Sequence, residues 1–264
     1  MTSIFQVKVY LAAMSICGIL SAAAHQFNVI SIEARYYAYM ADYVGISTAL
    51  YGINIGINAC SAVLVPYQTH IFISAVVSSF GFVGAFYSLF AKTKLWQTIG
   101  RPMAFLPMTF VIAKPILYRL LLLFEGHGAV KRGAIFSSIN WAQTHDFTNY
   151  GLVIHLSSLA VAVLSAFYYT SHFPERFVTG IFDIVGHSHQ FFHILVFHAG
   201  VRQFHAILQD VHDRRSNLFG LEIGHFSVAI FLHVAVFLIV GFLAKRWIAK
   251  DVETRKTCFG KYYK

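Results

Sequence analysis

The chain has 264 residues, a length that fits one or two domains. Of these, 57% are hydrophobic and only 12% charged, and the mean hydropathy is +0.62. Soluble domains are about 25% charged, so a globule of this composition could not cover its surface with polar groups; this argues against a soluble enzyme, a disordered protein or a DNA-binding domain, and for an all-α, polytopic membrane protein.

The net charge of +9 fits basic loops and tails on the cytoplasmic side of a membrane, and does not call for nucleic acid as a partner. Cys17, Cys60 and Cys258 lie far apart without CxxC spacing. A disulfide framework is not expected, and a zinc-ribbon site lacks the thiolates it needs. Histidine is the unusual residue, with 14 copies against 11 Asp+Glu. A polar ring inside lipid is rare unless it binds something or finds a partner.

Seven apolar stretches near the membrane length of about 20 residues are expected at residues 7–25, 40–65, 70–91, 103–124, 150–169, 188–208 and 226–244. No repeat or low-complexity tract interrupts them, so the chain reads as one transmembrane helical domain over 1–264 with a basic tail at 246–264. The first stretch also reads as a signal peptide, with Lys8, an apolar run and Ala22-Ala23-Ala24 as a cleavage site. Its single lysine comes late, after Ile4 and Phe5, which disfavours that reading. In the second, Gly52 and Gly56 form a G-x-x-x-G with Asn54 and Asn58, as expected for close helix packing with interhelical hydrogen bonds. Pro107 and Pro115 predict kinks in the fourth. That span also carries Lys114, nearer its middle, expected to face a cavity or snorkel to the interface or else to hold an anionic or carbonyl group of a lipid or steroid. Arg119, near its outer end, is placed to snorkel to the interface. His155 and His233 are lone span histidines, expected to hydrogen-bond in the core. Arg202, His198 and His205 extend the polar character of the sixth span.

Loop charge sets the orientation. One side receives Arg35, Lys92, Lys94, Arg101, Arg176 and the basic residues of 245–264; the other receives Lys8, Lys131, Arg132, Arg214 and Arg215. The excess puts the C-terminus in the cytoplasm. Seven spans then put the N-terminus outside, an arrangement that a further, upstream span would make natural.

Parity now places the histidines. His25 ends the first span on the cytoplasmic side, and His189 and His193, at i and i+4 on one helix face, begin the sixth on the same side. Asp42 begins the second there too. Three neutral imidazoles with an open fourth position are the ligand set of a catalytic zinc, and no cysteine falls nearby to close the site. From the residues alone, hydrogen-bonded core histidines remain the alternative.

The stretch FPERFVTGIFDIVGHSHQFFHILVF, with S-H-Q-x-F-H at Ser188 to His193, closely resembles a signature of the progestin and adipoQ receptor family. His25, followed by Asp42-Tyr43-Val44-Gly45, resembles the family's other signature, and Ser21 fits one turn before His25. The resemblance covers roughly residues 7–245. It implies that His25, His189 and His193 bind zinc, and that Ser21 and Asp42 flank the water held there. A cytoplasmic C-terminus resembles the membrane progestin receptor branch, whose members look like eight-span proteins. The family's first helix has no counterpart here, so a shortened isoform or a fragment is expected. Two functions follow. One is a plasma-membrane receptor in which a steroid or other lipid occupies a cavity and signals to a cytoplasmic protein. The other is an intramembrane zinc hydrolase of lipid amides, similar to alkaline ceramidases, in which Asp42 takes the proton of the attacking water.

Overall fold

The computed structural model describes residues 3–60, 67–91, 93–126, 149–178, 180–182, 184–213 and 223–262. These form seven helices and, among the described residues, no strand: α1 (Ser3–Phe27), α2 (Ile32–Cys60), α3 (Tyr67–Ser88), α4 (Lys94–Gly126), α5 (Asn149–Ser171), α6 (Ser188–Asp213) and α7 (Ile223–Tyr262). The protein is thus all-α and polytopic. By length and composition, α1 and α3 to α7 each contain a stretch able to cross a membrane, from Phe5–Phe27 to Ile230–Thr254. The 29-residue α2 is long enough but less apolar. Its polar Ser47, Asn54 and Asn58 are buried in the protein instead of being replaced by lipid-facing aliphatics. The loop charges Lys131, Arg132, Arg214 and Arg215 lie outside the described residues.

Helix ends depart from the hydropathy reading where caps decide them. Residues Ile32–Tyr39 are too polar to count as span, yet α2 begins at Ile32 because Ser31 Oγ accepts the amide N–H of Ala34 at 2.9 Å, an N-cap bond. Thr93 Oγ1 does the same for Trp96 at 3.3 Å ahead of α4. At 40 residues α7 is about 60 Å long at 1.5 Å per residue, so the helix runs on through the basic residues after Lys245.

By internal contact the chain divides into two units, and α1 to α4 contribute residues to both. One unit comprises Met1–Tyr10, Ile53–Tyr67 and Phe110–Leu221. Here α5 and α6 run antiparallel, with Ser158 Oγ donating to Ala199 O at 2.8 Å. Tyr10 Oη ties α1 to α6 through Gly200 O at 2.7 Å. At Gly56 the α2 backbone lies against the Ile207 and Tyr10 side chains, the close packing that G-x-x-x-G predicts. Asn58 Nδ2 donates to Asn54 Oδ1 at 2.7 Å, within the helix.

An ion pair joins α4 to α6. Arg119 Nη1 donates to Asp210 Oδ2 at 2.7 Å, with the two side chains 4% and 0% exposed. The snorkelling expected of Arg119 is therefore wrong: the side chain turns inward to a buried carboxylate. His155 Nε2 lies 2.8 Å from the same oxygen, and Gln203 Nε2 lies 2.8 Å from His155 Nδ1. His155 thus bridges Asp210 and Gln203, hydrogen-bonded in the core as expected.

The other unit comprises Leu11–Gly52, Gln68–Thr109 and Glu222–Lys264. Its core is aromatic and aliphatic, with Tyr43 of α2, Phe82 and Phe86 of α3, Phe105 of α4 and Val240, Ala244 and Ile248 of α7. Within it, His233 Nδ1 meets Ser79 Oγ at 3.0 Å and Ser78 Oγ at 3.2 Å, and its ring stacks on Tyr51. Tyr36 Oη donates to Asp251 Oδ2, holding the far part of α7 to α2.

Removing one partner of a buried ion pair strands the other charge, at a cost of about 3–5 kcal/mol. Asp210→Ala should lose that much in reversible unfolding in mixed micelles. Arg119→Met combined with Asp210→Leu, which removes both charges, should lose clearly less. Equal losses in the two variants would contradict a stabilising pair at this position.

Candidate metal centre

The N-terminus of α6 is built by side chains that fold back on it. Gly186 takes φ +85°, a left-handed turn open to glycine, and its N–H reaches Gln190 Oε1 at 2.7 Å. Gln190 Nε2 donates in turn to Ile184 O at 3.0 Å. Ser188, the first residue of α6, is clasped from across the loop. Its N–H donates to Glu175 Oε2 at 2.7 Å, and its hydroxyl donates to Glu175 Oε1. A carboxylate at a helix N-terminus also complements the helix dipole.

This fixed first turn presents His189 and His193. Their Nε2 atoms are 3.1 Å apart and their rings meet edge to face. Tyr169 of α5 and Phe192 lean on the His189 ring. Zinc bound tetrahedrally at about 2.0–2.1 Å holds its nitrogens about 3.3 Å apart, so the observed separation fits two ligands on one ion. His25 lies in the last turn of α1, before the short link to Ser31. One ring nitrogen from each of His25, His189 and His193 lies within 4.8 Å of the others, a group that could hold a metal ion. His189 is half-buried while His25 and His193 are exposed, which leaves the group accessible. The donor set is three imidazoles, a set found in zinc sites that keep an open fourth position.

Ser21 is one turn before His25 on α1, and Asp42 is in α2. A Cβ on Gly45 would meet Cys17 Cα at 3.2 Å and Leu20 Cβ at 3.3 Å. The two helices are therefore in backbone contact one turn from Asp42. Glu175 is the residue that the sequence reading left without a role. It lies within the FPERF motif, but its partner is 13 positions on, beyond the reach of helical periodicity.

The fold and this group define a polytopic helical membrane protein with a candidate three-histidine metal centre. The profile of a family described as haemolysin-III related matches residues 2–204. The chain belongs to that family, the progestin and adipoQ receptor family. It is similar to membrane progestin receptor gamma of Homo sapiens, 31% identical over 211 residues, which are 76% of this chain and 58% of the relative. Membrane progestin receptor delta of Mus musculus is 30% identical over 203 residues, 74% and 54% of the two chains. Heptahelical transmembrane protein ADIPOR2 of Oryza sativa subsp. japonica is 28% identical over 201 residues, 75% and 79%. The chain thus spans under two thirds of the progestin-receptor relatives' length, and α7 lies beyond the matched profile.

Slight burial pushes the Glu175 carboxyl up, but the bonds from the Ser188 hydroxyl and N–H, its own backbone N–H and nearby His172 outweigh it and hold the carboxyl below its ordinary 4.5. A depressed carboxylate stabilises the fold above its unfolded value and loses that contribution as pH falls through the folded one. Amide-exchange protection at Ser188–Gln190 should therefore be full above about pH 4.5 and fall in more acid solution. In Glu175→Gln it should already be reduced near neutral pH, and unchanged protection there would remove the clasp.

Proposed function

We propose that the chain is a zinc-binding membrane receptor of the progestin-receptor type, taking a steroid or other lipid and signalling to a cytoplasmic partner. The observation that carries the metal is the convergence of the His25, His189 and His193 nitrogens within 4.8 Å. The ligand class rests on the relatives, named as membrane progestin receptors. Zinc bound here would supply a Lewis acid and lower the pKa of a coordinated water towards about 7. The protein's own contribution is to aim the three imidazoles: Glu175 and Gln190 set the α6 turn, and Tyr169 and Phe192 hold the His189 ring.

The second reading is hydrolysis of a lipid amide; α1 and α2, which carry Ser21 and Asp42, are in backbone contact at Gly45. Asp42 would accept the proton of the attacking water, and Ser21 would hydrogen-bond the reacting group. A base must come within about 3 Å of that proton, directly or through one water.

One experiment separates the readings. Purified protein should contain one zinc per chain, and His25→Ala, His189→Ala or His193→Ala should each lose most of it. Full occupancy in His189→Ala would refute this site. On the receptor reading, Asp42→Asn keeps both lipid binding and signalling. On the hydrolase reading, chelation and Asp42→Asn each lower lipid-amide turnover, the latter by roughly 100-fold or more, and signalling falls with it.

The protein is a multi-pass integral membrane protein, and we place it in the plasma membrane with its C-terminus in the cytoplasm. The basic residues after the last span support that orientation. A C-terminal tag should resist external protease in intact cells and be cut after permeabilisation; cutting in intact cells would reverse the topology.

A further inference from the structure

The face of α6 opposite its buried side carries a polar stripe that the metal centre does not use. Arg202, His205, Gln209 and His212 follow one another at i, i+3, i+7 and i+10, while Gln203, Ala206, Ile207 and Asp210 are buried on the far side. The stripe borders a cleft of about 470 Å³ against α5, with Tyr150 and Ile154 on the other wall. The volume falls within the range of ligand sites, about 300–1,000 Å³. Arg202 is 14 residues from Ser188 and so about 21 Å along a span of about 39 Å, close to its middle. A cation at that depth ordinarily faces a cavity or an opposite charge. Arg202 belongs to none of the ion pairs among the described residues. Its Nε and Nη2 both donate to Ser157 Oγ, at 3.0 and 2.6 Å, and the Ser157 hydroxyl donates to Ile154 O at 2.7 Å. A neutral hydroxyl thus orients the guanidinium along one edge and leaves its charge unbalanced, while a planar fork has further N–H donors to offer. The neighbouring carboxylates are already engaged. Asp210 is held by Arg119 behind α6, and Asp213, at the outer rim, accepts from Gln209 at 3.0 Å and lies 3.4 Å from His212.

We propose that the α5–α6 cleft binds a phosphate group, with Arg202 as its counter-charge and His205 as a second donor one turn away. Phosphate suits the site better than a two-oxygen acid because its several acceptor oxygens can meet the guanidinium and an imidazole together. The source is a lipid headgroup entering from the span's outer end, where Tyr150 and His212 are exposed, or free phosphate reaching the same cleft.

The test uses the full chain in nanodiscs of phosphatidylcholine doped with phosphatidic acid, with lipids retained per chain counted by native mass spectrometry. Wild type should retain phosphatidic acid preferentially. Arg202→Gln should lose that preference by about tenfold or more, the value of one charged hydrogen bond. Leu208→Trp fills the cleft, leaves every donor in place and should lose it too, which keeps the test open if Arg202→Gln folds poorly by thermal melt. Displacement by inorganic phosphate alone would assign the site to a soluble phosphate, and persistence would assign it to the lipid; either supports the phosphate site. Equal retention of both lipids in wild type, or unchanged preference in folded Arg202→Gln and Leu208→Trp, would overturn it.

Discussion

A charged side chain inside a membrane span is costly in hydrocarbon and is held where an opposite charge is within reach. Asp210 is where α6 meets that demand. It takes the guanidinium of Arg119 from α4 and the imidazole of His155 from α5 on one carboxylate oxygen. Gln203, two turns earlier on the same face, closes the network through the other nitrogen of His155. Three helices are thereby held in one rotational setting. An aliphatic contact could slide by a fraction of a turn at small cost, whereas these hydrogen bonds fail at once. For α6 this fixes which face looks inward over its whole length.

The consequence reaches the other end of the helix. His189 precedes Gln203 by 14 residues and Asp210 by 21, a heptad register that drifts only about 20° per repeat on a straight helix. Over three repeats that is about 60°, so His189 lies within a quarter turn of the face that seats Asp210, and His193 stands one turn further on. The clasp of Ser188 by Glu175 adds a local constraint where fraying would otherwise begin. The setting of the α6 imidazoles thus has a distant cause buried in the protein and a near, loop-borne one.

Much of this architecture could be read from the chain, and the parts that could not share a physical reason. The helices in the apolar stretches were legible because membrane length and hydropathy are local. So was the His189–His193 pair, since i and i+4 are neighbours on any helix. His25 needed parity and the family signature. Asp210 was passed over because hydropathy scores a carboxylate the same whether it faces lipid or an arginine 91 positions away. The same blindness sent Arg119 to the interface, and ended the second span's polar approach in a loop when Ser31 in fact caps a helix there. Glu175 was quoted within a motif but had no role until its partner, across a turn, was visible. Hydropathy registers cost; whether that cost is met depends on contacts between elements.

The charge of the metal group bears on both functional readings. Three neutral imidazoles bring no negative charge to a divalent ion, so the nearest carboxylate carries unusual electrostatic weight. At an effective dielectric of about 20, unit charges 4 Å apart interact by about 4 kcal/mol, and the attraction decays slowly enough to matter at twice that separation. On the proposed reading, Asp42 would supply this compensation whether or not it accepted a proton; α2, which carries it, is in backbone contact with α1 at Gly45. Its presence alone is therefore no signature of hydrolysis. What marks hydrolysis is a need for basicity beyond a need for charge, and the isosteric amide separates the two when zinc content and turnover are read on the same sample. Loss of zinc from Asp42→Asn would mean charge balance, while retained zinc with lost turnover would mean a base.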